Sequence, residues 1–127
     1  MKQYEIAEVA ESINKRIERI EALCAELDEA DKYQAESESN YDKEFAKAQA
    51  RLAMGKVQEI DGEIIGKISV TLIPKYAAGL CYEEKAAMLI AKNRRKSLKD
   101  KIDALSNTLN AKQSIYRQLS HEKIRVG

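Results

Sequence analysis

Tryptophan is missing from this chain of 127 residues, phenylalanine, proline and histidine occur once each, and there are two cysteines and five glycines. So little proline and glycine leaves few turns, which excludes a turn-rich β-sandwich or barrel and points to long helices. The composition is not that of a disordered chain, because 44% of the residues are apolar and they recur with a period. The length holds one domain, and two separate compact cores would be a stretch.

Each scarcity also removes a class of chemistry. The single histidine, His121, lies near the C-terminus, where an imidazole is favoured by the end of a helix dipole and is read as solvated, not catalytic. Cys24 and Cys81 have neither C-x-x-C spacing nor a histidine nearby, so no zinc site is expected, and both are read as buried helix-face residues in a reducing compartment. Gly55, Gly62, Gly66 and Gly79 make no phosphate-binding loop, and no nucleophile elbow or metal-ligand pair is present. The sequence therefore points away from an enzyme, a metal or a cofactor. Met1-Lys2-Gln3-Tyr4-Glu5 runs into acidic sequence without an apolar stretch, so no signal peptide is expected. The longest apolar run, Ala86 to Ala91, is six residues, against the ~20 that span a bilayer. A cytoplasmic protein without a membrane segment is the expectation.

Charge is abundant and unevenly placed. Residues 1–45 carry thirteen acids against six bases, and residues 46–127 carry sixteen bases against eight acids. The net charge of +1 thus hides an acidic third and a basic remainder, an asymmetry that concerns partners more than fold.

Apolar positions Ile6, Val9, Ile13, Ile17, Ile20, Leu23/Cys24, Leu27 and Ala30 alternate in steps of three and four, which lines one face of a helix. Ile6, Ile13, Ile20 and Leu27 fall seven apart, the seam of a coiled coil, and are the candidate oligomerisation residues. No glycine or proline interrupts residues 3–54, and Gly55 stands where a glycine closes a helix, so the first helix is drawn over 1–54. A second helix over 81–122 carries the stripe Ala87, Ile90/Ala91, Leu98, Ile102, Leu105, Leu109, Tyr116 and Leu119, a rod of ~60 Å, with the break before it at residues 79–80.

The connector, residues 56–79, has two readings. Val57 to Ile60, then Asp61-Gly62, then the alternating Ile68, Val70 and Leu72 suit a small hairpin with a type I′ turn. Alternatively Asp61 caps a short helix that stops at or before Pro74, with Gly79 capping another turn. The helical neighbours tip the reading towards helix. The fold expected is all-α, two long amphipathic helices in an antiparallel, coiled-coil-like hairpin with a short connector. Two rods bury little surface alone, so a homo-oligomer is expected.

The strongest local signal is Lys92-Asn93-Arg94-Arg95-Lys96-Ser97-Leu98-Lys99-Asp100-Lys101, six bases against one acid. On a helix Lys92, Lys96 and Lys99 share a face, Arg95 lies beside them and Lys85 extends the row. Such a ridge can follow a phosphate backbone without reading bases. The same residues would serve equally as a solvated face, or as partners of the acidic third. Tyr76 and Tyr82 flank the start of the basic helix, and Tyr33 and Tyr41 lie on the first. Aromatics among bases suit a single-strand binder, since a stacked base contributes ~1–3 kcal/mol, although tyrosine also packs at helix edges.

The segment Tyr41-Asp-Lys-Glu-Phe-Ala-Lys-Ala-Gln-Ala-Arg-Leu-Ala-Met-Gly-Lys56, the variable connector and the basic helix ending Lys101-Ile-Asp-Ala-Leu-Ser-Asn-Thr-Leu-Asn-Ala-Lys-Gln-Ser-Ile-Tyr-Arg117 resemble the small helical proteins of bacteriophage recombination modules. In length and layout, over residues 33–120, the chain is similar to UvsY-like recombination mediators. The resemblance implies a homo-oligomer that binds single-stranded DNA and helps load a recombinase onto strands covered by single-strand-binding protein. It assigns DNA contact to the Lys92–Lys101 segment, with Lys92, Arg94, Arg95, Lys96, Lys99 and Lys101, and makes the acidic N-terminal helix a protein-contacting or oligomerising arm. The reading of the ridge and its tyrosines adds Lys85 and Tyr82 to the candidate nucleic-acid-binding residues. The alternative class is a helical adaptor, such as an assembly chaperone, scaffold or inhibitor of a host defence enzyme, with no nucleic acid.

Overall fold

The computed structural model describes residues 3–57, 59–60, 62–64 and 66–126, with side chains described between residues 5 and 122. The fold is all-α apart from one minimal hairpin. Helix α1 runs Gln3–Ala53, strands β1 and β2 are Glu59–Ile60 and Glu63–Ile64, a 3-10 turn spans Val70–Leu72, α2 runs Ile73–Leu80 and α3 Tyr82–Val126.

The end of α1 follows from its last residues. Gly55 takes a positive φ of 69°, its N–H donates to the Leu52 carbonyl at 3.1 Å, and the Lys56 N–H donates to the Arg51 carbonyl at 3.0 Å. These two bonds form a Schellman closure, satisfying carbonyls that the last turn would leave open.

The connector contains part of both expected arrangements. A hairpin forms, pairing Glu59 with Ile64 and Ile60 with Glu63, and Gly62 in its loop has φ 82°. Asp61 lies outside the described residues. The returning strand is not Ile68–Leu72, as the alternation suggested; Val70–Leu72 instead winds into the 3-10 turn that leads into α2. Nor does a helix stop at Pro74. Pro74 sits in the first turn of α2, where its missing N–H breaks no bond and its fixed φ suits the helix.

Gly79 caps nothing. It lies inside α2, and the break falls at Cys81, with φ −102° and ψ 27°. Backbone bonding carries on across that break. The Cys81 N–H donates to the Ala77 carbonyl at 3.1 Å, and the Cys81 carbonyl accepts from the Lys85 N–H at 3.0 Å.

The chain divides into two compact units, one of residues 1–29 and 95–127, the other of residues 30–94. In the first, Ile13, Leu23, Leu98 and Leu119 are buried, while Ile6, Ile17, Ile20 and Leu27 on α1 and Ile102, Leu105 and Leu109 on α3 are half-buried. Lys112 Nζ donates to Ser12 Oγ at 2.9 Å within this unit. Cys24 is exposed, against expectation. Leu23 occupies the buried position, and the next residue is rotated about 100° away from it. Tyr116 and Ile90 likewise fall off the α3 stripe, both being exposed.

The second unit is centred on Ala48, Leu52, Ala77 and Cys81, with Tyr41, Phe45, Val57, Ile60, Ile68, Ile73 and Tyr76 packed against them. Alanines at 48 and 77 keep side-chain bulk out of the centre of this cluster, and Ala77 has no exposed surface. The rings of Tyr41 and Phe45 stack with centroids 5.7 Å apart.

Candidate nucleic-acid interface

Helix α3 carries every basic residue of the expected ridge. At 100° per residue, Lys85, Lys92, Lys96 and Lys99 lie within about 60° of one another, a row with an axial span of about 21 Å. All four are exposed. Arg94 and Lys101 are exposed too, but the same geometry turns them roughly to the opposite flank. Arg95 differs. It follows Ala91 by four residues and precedes Leu98 by three, on the buried stripe, and it is half-buried and engaged with a partner.

The notable electrostatic feature is what the row does not touch. Two ion pairs, Lys15–Glu11 at 3.3 Å and Lys47–Glu44 at 3.5 Å, both lie within α1. Neither involves Lys85, Lys92, Arg94, Lys96, Lys99 or Lys101. Arg95 on the ridge and Asp31 in the acidic third each have a partner, so what is established for the row concerns its exposed lysines alone.

The tyrosines separate into two kinds. Tyr41 and Tyr76 are half-buried in the second unit's core, which commits their rings to packing. Tyr82 is 63% exposed, three residues before Lys85, and its hydroxyl donates to Glu83 Oε1 at 3.2 Å. Tyr33 is also exposed. Both rings present exposed surface on which a base could stack.

Among the other candidates, His121 is exposed. Burial pushes the Cys81 thiol above its ordinary value, and Glu84 and Glu44 add to the effect. No cluster of three His, Cys, Asp or Glu among the described residues is arranged to hold a metal ion, and no helix there is long and apolar enough to cross a membrane. Of the four heptad positions, Ile13 is buried and Ile6, Ile20 and Leu27 are half-buried, sharing their unit with the C-terminal part of α3.

Sequence reasoning overlooked an apolar groove of about 660 Å³ where α1 ends, lined by Leu52, Met54, Val57, Ile64, Val70 and Ile73 among others. It also overlooked the exposure of Leu89 and Ile90. The signal was available in the six-residue apolar run at Ala86–Ala91, which covers every side of a helix and must show part of itself to solvent. No family model, characterised protein or solved structure matches the chain.

Proposed function

We propose that this chain is a non-catalytic single-stranded-DNA-binding protein, an accessory of bacteriophage recombination that works as a homo-oligomer in the host cytoplasm. The observation that carries the reading is the row Lys85, Lys92, Lys96 and Lys99, exposed, on one flank of one helix, and without an ion pair among the described residues. Four cations along about 21 Å suit a flexible strand, whose phosphates can adjust to the spacing. Lys101 and Arg94 add positive potential from the other flank, and Tyr82 offers a stacking surface beside the row. Arg95 has a structural task in this account. The Ser12–Lys112 bond supports reading α1 and α3 as arms of an antiparallel, coiled-coil-like pair within the first unit. A recombinase and a single-strand-binding protein are the expected protein partners.

The test compares a labelled single-stranded oligonucleotide with its duplex by fluorescence anisotropy. Tighter binding of the single strand is expected. Equal binding, or none at low salt, would contradict the reading.

A second reading is kept because Leu89 and Ile90 on α3, and Met54, Ile64 and Val70 at the groove, are apolar and exposed. Surfaces of this kind are what a protein-interaction adaptor displays. Capture of one stoichiometric protein from nuclease-treated host lysate, with no affinity for oligonucleotide, would favour it.

A further inference from the structure

We propose that two copies of this chain meet through the second unit, Ile90 of each copy entering the groove of the other and Leu89, beside Lys85 and Lys92, staying at the edge of the contact. The inference deepens the homo-oligomer part of the proposed function, and rests on it, by naming the surface. It does not depend on the heptad positions of α1, which are partly or wholly covered within the chain.

The groove is an open concavity whose lining side chains are mostly apolar. Its walls come from the end of α1, from β2 and from the segment entering α2, and Lys67 is the charged residue among the described residues lining it. The side chains on it are costly to leave in water: Ile64 is 87% exposed, Val70 82% and Met54 68%. The same unit displays a convex counterpart. Ala86, Leu89 and Ile90 form a short apolar ridge on α3, with Ile90 67% exposed, and Glu83 lies on that face two turns before Ile90. An apolar helix face seated in an apolar groove is a common mode of recognition. Here the charges fix the direction in which the ridge lies. Glu83, two turns before Ile90, is opposite in sign to Lys67 on the groove, whereas exposed Arg94, one turn after Ile90, has the same sign and must lie away from it.

A second copy is favoured over an unrelated partner because one chain supplies both halves. A two-fold axis pairs ridge with groove twice, so one interface covers both exposed apolar surfaces of each copy. A head-to-tail contact would leave one groove and one ridge open in every pair.

The experiment is sedimentation equilibrium on the full chain across a range of concentrations. The unsubstituted protein is expected to dimerise or to form a multiple of dimers. Ile90→Glu and Val70→Glu, both at exposed positions where folding is not at stake, are each expected to weaken association by about ten-fold or more. Mixing the two variants is expected to recover part of that loss, since the mixed pair retains one intact ridge-in-groove contact. Lys67→Glu and Glu83→Lys should each weaken association singly and restore it together. A chain monomeric at all concentrations would overturn both this proposal and the homo-oligomer reading. An oligomer indifferent to Ile90→Glu and Val70→Glu would overturn this proposal alone.

Discussion

Lys112 Nζ donates a 2.9 Å hydrogen bond to Ser12 Oγ, joining side chains 100 positions apart within one compact unit. Both residues are half-buried, on helix segments that also carry Ile13, Leu109 and Leu119. A polar contact among apolar positions fixes the register of two helices more than it stabilises them, because a shifted pairing would leave both groups unsatisfied. Ser12→Ala is expected to lower stability by about 1 kcal/mol, read as a lower urea midpoint at unchanged slope. In a double-mutant cycle, Ser12→Ala with Lys112→Met should cost clearly less than the two single changes summed. Strict additivity would show that the bond contributes nothing.

Two glycines should respond to alanine with opposite signs. Gly55 has positive φ and an added Cβ would meet nothing within 4 Å, so Gly55→Ala incurs only backbone strain, about 1 kcal/mol of destabilisation. Gly79 lies within α2, has no positive φ and is equally uncrowded. Gly79→Ala should therefore stabilise, by roughly 0.5–1 kcal/mol. Thermal unfolding of the two variants side by side checks both, and a shift in the same direction would refute the assigned helix ends.

The two cysteines should differ in reactivity and in pH dependence. Cys24 is exposed and should react promptly with a thiol reagent, whereas Cys81 is buried and should react only after local opening. Burial, then Glu84 and Glu44, raise the Cys81 thiol above its ordinary value of 9.0. Below that value folded and unfolded chains both keep the proton, and the contribution to stability is constant. As pH climbs beyond it, the unfolded thiol ionises first and stability is lost until the folded value is passed. Cys81→Ala should flatten that alkaline loss in chemical unfolding followed from pH 7 to 10. An unchanged slope would assign the loss elsewhere.

The two cores differ in their most fully buried side chains, Leu23 in the first unit and Ala77 in the second. Leu23 is the largest fully buried side chain, so Leu23→Ala should cost roughly 2–5 kcal/mol through lost burial and the cavity left behind. Ala77 has no exposed surface, and Ala77→Leu should cost about 1–3 kcal/mol through overpacking. Urea unfolding distinguishes these from surface changes, which should stay within about 0.5 kcal/mol.

The long helices were legible because their signals are local and repeated. The uninterrupted stretch before Gly55 and the three-four spacing across Ile13, Ile20 and Leu98 leave little choice. The connector was harder. Pro74 reads as a helix stop or as a first-turn residue with equal right, and only packing of Ala77 and Cys81 against Ala48 and Leu52 decides it. Cys24 and Arg95 were misplaced for a related reason. Leu23 and Cys24 are both apolar neighbours, and the run of bases masks the four-three spacing from Ala91 and Leu98 that sets Arg95, half-buried, on the stripe. Exposure of the lysine row depends on packing that no one-dimensional pattern contains.

The measurement that bears most directly on the central claim is the salt dependence of single-strand binding, before and after charge reversal on α3. With Lys85, Lys92, Lys96 and Lys99 each meeting a phosphate, log affinity should fall against log salt with a slope of roughly 3, at ~0.7 per contact. Lys92→Glu with Lys96→Glu should halve that slope at least and abolish binding at moderate salt, with helicity unchanged by circular dichroism. Arg94→Glu, on the other flank, should weaken binding far less. Full affinity and an undiminished slope in the Lys92→Glu/Lys96→Glu variant would contradict the account.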